Sequence, residues 1–266
     1  MSVATPLPEE LEITIENQAL SETAENSKAL RSEQVRGENL VAAKYWGDIQ
    51  WRIIGTFIMF SICWCGVIFL GLNQVLPLWL CLIVNSVFAS TFYMPLHEAA
   101  HKNIWGKRTT SRWAEDAIGK ACSIPTGINF SSHRAGHMRH HAFTNDPARD
   151  PDHFTDGRLS ELPVKFYGMT MVYSFLPFFA LIKPLRVLLP QDMKRLLNDR
   201  QASKSEGKAQ IRFWLFSTIF LVVCFATGHG VEALMLWWLP ARIQLCWLMF
   251  IFAWYPHHPA NETSRY

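Results

Sequence analysis

Most of the chain's ten histidines fall into two tight groups, His97-Glu98-Ala99-Ala100-His101 and His133-Arg134-Ala135-Gly136-His137-Met138-Arg139-His140-His141. At 3.6 residues per turn, the spacings 97/101, 133/137, 137/141 and 133/140 put imidazoles on one helix face, where neutral nitrogens can converge on an ion. A further pair, His257-His258, lies between Pro256 and Pro259. His97-Glu98-x-x-His101 alone also fits a zinc protease with Glu98 as general base. One zinc takes three protein ligands and an open position, which would leave His133, His137, His140 and His141 mostly unused. Six histidines suit two first-row transition ions, and iron is the one that activates dioxygen.

The elements that must position these residues are membrane helices. Hydrophobic residues make up 50% of the chain, with eleven Trp and eighteen Phe, and they come in blocks. Trp51 to Leu72 and Leu76 to Leu96 are each about the twenty residues that a crossing needs, and Asn73-Gln74-Val75 between them make a tight turn. A second pair is expected at Ile211 to Gly228 and Val231 to Tyr255, the last interrupted by Pro240 and carrying Arg242, a charge that must face protein or the interface. Phe166 to Leu189 is broken by Pro177 and Pro184. If it crossed, the seven Lys and Arg between Lys183 and Lys208 would lie outside, against the positive-inside tendency. It is expected to be a re-entrant or interfacial segment.

The fold expected is therefore an all-α integral membrane protein, with about four transmembrane helices in two hairpins, the re-entrant segment, and a cytoplasmic histidine-bearing helical cap. Both termini and the loop from His97 to Lys165 fall on the cytoplasmic side. Residues 1–50 carry nine acids against four bases, which leaves the remainder at +8 of an overall +3. They form a polar, acidic, partly disordered arm without the basic start and apolar core of a signal peptide. Residues 51–266 form the membrane domain. The six cysteines have no Cys-x-x-Cys spacing and are small apolar packing residues. Nothing has a nucleic-acid signature; the basic residues suit lipid head groups.

His97-x-x-x-His101 and His137-x-x-His140-His141, set between transmembrane hairpins, resemble the first two histidine boxes of the membrane di-iron fatty acid desaturase superfamily, which also holds alkane and carotenoid hydroxylases and ketolases. The run Thr144-Asn145-Asp146-Pro147-Ala148-Arg149-Asp150-Pro151-Asp152 resembles the continuation found in bacterial members. The resemblance implies two non-haem iron ions, O2 as co-substrate and a lipid or hydrocarbon substrate in a bacterial inner membrane. It also implies electrons from a separate ferredoxin-, rubredoxin- or b-type cytochrome-like protein. Fatty acyl desaturation is the activity it implies first, with hydroxylation or ketolation of an alkane, fatty acid or carotenoid as the alternative.

It makes His97, His101, His137, His140 and His141 metal ligands, with His133, His257 and His258 as further candidates. Glu98, Asp146 and Asp150 are candidates to accept the outer N–H of a ligand, though Glu98 also suits a pairing with Lys102 and the acids a polar turn. His153 is expected to be a loop residue and His229 to lie in an outer turn without a catalytic role. The family's third His-x-x-His-His box does not occur, so the sequence reads as C-terminally incomplete. Such a form would be poorly metallated or would use His257 and His258 instead.

Overall fold

A computed structural model describes residues 26, 29–30, 32–41, 43–44, 47–106, 112–191, 194 and 203–259. It divides into two units, residues 1–48 and 49–266. In the first, residues 32–41 are helical and exposed; the rest of the acidic arm lies largely outside the described residues.

The second unit is helical throughout its ordered elements, and four of its helices are long and apolar enough to cross a membrane: Trp51–Leu72, Leu78–His101, Lys204–Ala226 and Gly230–His257. We call them α1, α2, α6 and α7. Between α2 and α6 lie α3 (Arg112–Thr126), α4 (Phe130–Phe143) and α5 (Leu162–Leu181).

Helix α1 holds no charged residue beyond Arg52 and stops where Asn73 turns its side-chain amide onto the Phe69 carbonyl (2.8 Å) and Gln74 adopts φ 60°. Helix α2 shifts course at Phe92, which separates the segments Leu78–Thr91 and Tyr93–His101. Pro95 has no N–H for the Thr91 carbonyl, and the Ser90 and Thr91 hydroxyls bond backward to Val87 and Phe88, so the ladder opens there. The helix then continues through His97 to His101 and ends at Lys102, in the left-handed conformation.

The stretch after His101 is largely helical. Helix α3 runs back alongside α2 and α7: Trp237 Nε1 donates to the Ile124 carbonyl (2.6 Å) and Gln244 Nε2 to the Thr126 carbonyl (2.6 Å). These are end-of-helix carbonyls that would otherwise lack donors. After a turn at Gly127 (φ +66°), helix α4 returns toward His101 with Asn129 as its cap, Oδ1 accepting the Ser132 N–H at 3.0 Å. A polar helix of this kind survives beside a spanning helix because its exposed groups are met by protein. Gly119 makes the α3–α4 pair possible, since the Phe130 ring fills the space a side chain there would take.

Pro240 does not interrupt α7, which is continuous over 28 residues. The helix widens to π-helical turns at Leu234–Trp238, just before the proline, and again at Met249–Trp254. The Leu236 carbonyl, four residues before Pro240 and without its usual donor, accepts the side-chain amide of the fully buried Asn85 at 2.8 Å.

The segment expected to be re-entrant forms α5, which breaks at Phe175 ahead of Pro177 and leads into a 3-10 turn at Lys183–Leu188. It is not one of the four span-length helices. At the break, the Ser174 carbonyl accepts Trp214 Nε1 from α6 at 2.8 Å.

Candidate metal centre

Helices α2 and α4 bring the two histidine groups face to face. One nitrogen each from His97, His101, His137 and His141 lies within 4.8 Å of all the others. His101 Nε2 and His137 Nε2 are 2.9 Å apart, and His137 Nε2 and His141 Nε2 are 3.1 Å apart. Ligands about 2.0–2.1 Å from an ion stand roughly 3 Å from one another at right angles, so these separations suit the edges of a coordination shell. His133 stacks on His137 (ring centroids 5.2 Å, planes 15° apart), and its buried Nε2 has no hydrogen-bond partner among the described residues. A buried nitrogen left this way fits a ligand position.

Burial, followed by the charges of His97 and His101, pushes the His133 imidazole down to about 3. Burial and the four neighbouring histidines push His137 down to about 2. Both are neutral at physiological pH, the form that binds metal.

His140 behaves differently. It lies outside the four-nitrogen group, with its ring 5.5 Å from that of His141, and donates Nδ1–H to Asp150 Oδ1 (2.9 Å), with Asp152 Oδ2 at 3.8 Å. Burial opposes its charged form, but the Asp150 hydrogen bond and the two carboxylates outweigh it, and the His140 value is raised. Its ring lies 4.7 Å from that of His257, which α7 delivers through its π-helical turn. Around this pair a small pocket is lined by Asp150, Asp152, His153, His257 and His258. His258 stacks on Trp254 at 4.5 Å.

Glu98 accepts His97 Nδ1–H (3.0 Å) with one oxygen and the Asn103 amide (3.0 Å) with the other. Asp146 turns outward, paired with Arg149 at 2.6 Å and accepting the N–H groups of Ala148 and Arg149. Both of its carboxylate oxygens are engaged within the turn. Arg134 pairs with Asp116 (2.7 Å) and Arg139 with Glu206 (2.7 Å) at the start of α6. His229 caps the far end of α7 and stands apart from the cluster.

Asp152, in sequence a possible acceptor like Asp146 and Asp150, stands 3.8 Å from His140 Nδ1, and the loop residue His153 lines the pocket beside it; sequence reasoning missed Tyr93. Tyr93 packs edge-on against His133 at 5.5 Å, one turn before His97 on the same helix, a spacing that could have marked it. Beneath the histidines is a cavity of ≈ 210 Å³, walled on one side by Tyr93, His133, His137 and His140 and on the other by Met169, Leu245, Leu248, Met249 and Phe252. The arrangement sets a group of nitrogen donors over a largely apolar hollow.

No curated protein matches the chain. The family model described as "Fatty acid desaturase" matches residues 73–266, which takes in both histidine groups, all of α3 to α7 and most of the chain. With its paired histidine helices and four span-length segments, the chain belongs to the fatty acid desaturase family.

Proposed function

We propose that this protein is a membrane di-iron oxidoreductase that uses O2 and electrons from a separate redox protein to desaturate an acyl chain. The observation that carries this reading is the convergence of His97, His101, His137 and His141, with His140 and His257 forming a second group beside it. His97, His101, His137 and His141 would hold one ion; His140 and His257, with His133 and His258 close by, supply donors for the other. Iron bound there would supply the dioxygen activation and one-electron chemistry that an unactivated C–H bond requires.

The chain's own residues do the rest. Glu98 and Asp150 accept outer N–H groups of His97 and His140, which sets the tautomer and turns the opposite nitrogen of each ring inward. The apolar wall from Met169 to Phe252 excludes water and orders a hydrocarbon chain under the imidazoles. Hydroxylation differs only in the fate of the substrate after the first hydrogen is removed, and the same residues serve it. Proteolysis is disfavoured because both Glu98 oxygens are engaged and the extra histidines face the same centre. The charge pattern supports an orientation with the histidines on the cytoplasmic face, and the likeness of the Thr144–Asp152 run to bacterial members supports a bacterial inner membrane.

The test is elemental analysis of the full chain, purified in detergent from iron-replete cells. Iron near two per chain, lost on replacing His137 and His140 by Ala, is expected. Zinc in place of iron would sink the reading. Lipid profiles of a host expressing the protein then distinguish alkene from alcohol products.

A further inference from the structure

The hollow beneath the histidines carries polar groups that the oxidation of a plain hydrocarbon chain does not use. Besides its apolar wall, it is lined by Tyr93 of α2, Tyr173 of α5 and Asp152 from the loop after α4. Among the described residues, no hydrogen bond reaches either phenol oxygen. The Asp152 carboxylate stands 3.8 Å from His140 Nδ1, but that N–H is given to Asp150. Asn129 and Ser132, on the same wall, are instead engaged with each other, Asn129 Oδ1 accepting the Ser132 N–H at 3.0 Å and its hydroxyl at 3.1 Å.

Tyr93, Tyr173 and Asp152 stand within electrostatic range of one another, which sets their unused groups around one hollow of ≈ 210 Å³. The phenols bring donors, and the carboxylate brings acceptors only. A hydroxyl meets both through a single atom, giving its proton to Asp152 and accepting one from a phenol. A carboxylate end would meet like charge in Asp152, and no Lys or Arg lines the hollow to offset it. A plain hydrocarbon would strip water from all three groups and return no hydrogen bond, and a site built that way discriminates against a ligand lacking the polar group.

We propose that the hollow selects a lipid carrying a hydroxyl group, held between the Tyr93 and Tyr173 phenols and the Asp152 carboxylate. The Tyr93 ring lies 5.5 Å from that of His133 and 6.0 Å from that of His97. A hydroxyl bound there sits beside the carbon presented to the histidines and so decides which carbon that is. Tyr93, Tyr173 and Asp152 are thereby specificity-determining residues. The inference rests on the lipid-oxidation reading and adds to it the substrate class: an alcohol, in preference to a free acid or a plain hydrocarbon.

The experiment is equilibrium binding of 1-hexadecanol, hexadecane and palmitate to the full chain in detergent, with metal content measured on the same samples. The parent should bind the alcohol more tightly than the alkane or the acid. Tyr93→Phe and Tyr173→Phe, checked for helicity and monodispersity, should each lower alcohol affinity about two- to tenfold, the range of one neutral hydrogen bond, and leave hexadecane unchanged. Asp152→Asn, which removes the charge and keeps the shape, should raise palmitate affinity. Alkane or acid bound by the parent as tightly as the alcohol, equal losses for alcohol and alkane in the Phe variants, or unaltered palmitate binding in Asp152→Asn would each overturn the inference, the first of these without need of any variant. Because binding is read without turnover, an iron-free protein that keeps the tyrosine-dependent preference would refute the di-iron reading and leave this one standing. An iron-loaded protein without the preference would do the reverse.

Discussion

His140 donates its Nδ1–H to Asp150 across 2.9 Å, and the same carboxylate accepts the backbone N–H groups of Asn145 and Asp152, each at 2.8 Å. The loop after α4 is thereby wound around one imidazole, and the ring is turned toward His257. Replacing Asp150 by Ala removes the acceptor and frees the loop. Metal affinity is expected to drop about 10–100-fold, as for other acceptors behind metal-bound histidines, in chelator competition monitored by elemental analysis. A variant with unaltered affinity would show that Asp150 serves the turn alone.

His137 stands between two partners, at 2.9 Å from His101 and 3.1 Å from His141. Substitution by Ala should therefore remove more bound metal than the same change at His141, which is exposed. His229, at the opposite end of α7, should be silent. Metal-to-protein ratios for the three variants, purified in parallel, check the order.

Gly119 and Phe130 decide how closely α3 and α4 can approach. Gly119→Val overfills that contact and is expected to cost about 1–3 kcal/mol, seen as a lower midpoint of thermal unfolding. Gly66→Ala, inside α1 where nothing lies within 4 Å, is the control and should not lower the midpoint.

Asn85 and Pro240 form a compensating pair on α2 and α7, linked through the Leu236 carbonyl at 2.8 Å. Asn85→Leu leaves that buried carbonyl without a donor, which costs about 1–3 kcal/mol. Restoring an N–H with Pro240→Ala should recover part of the loss in the double variant. Additive losses in a double-mutant cycle would show the two sites to be independent.

The helical class, the four long apolar segments and the histidine pairs on α2 and α4 were legible because each rests on local order: runs of about twenty apolar residues for a span, steps of three or four for a helix face. The element ends moved by several residues. Helix α6 starts at Lys204, where Ser203 and Glu206 close a capping box, well before the apolar run at Ile211. How Arg112–Asn129 would pack was not legible in its polar composition. Nothing local announces that Trp237 and Gln244, more than a hundred residues later, will donate to its carbonyls. Pro240 was misread as a break because its remedy, Asn85, lies on another helix.

The sequence alone determined that imidazoles would line helix faces at the end of a membrane span, since spacing and hydropathy are properties of neighbouring residues. Tertiary structure decided which imidazoles meet. It gathered His97, His101, His137 and His141, paired His140 with Asp150 and His257, turned Asp146 outward, and packed Arg242 against Gly127. Those outcomes depend on packing between segments far apart in the chain, where the need to satisfy each buried polar group selects one arrangement from the many that local spacing allows.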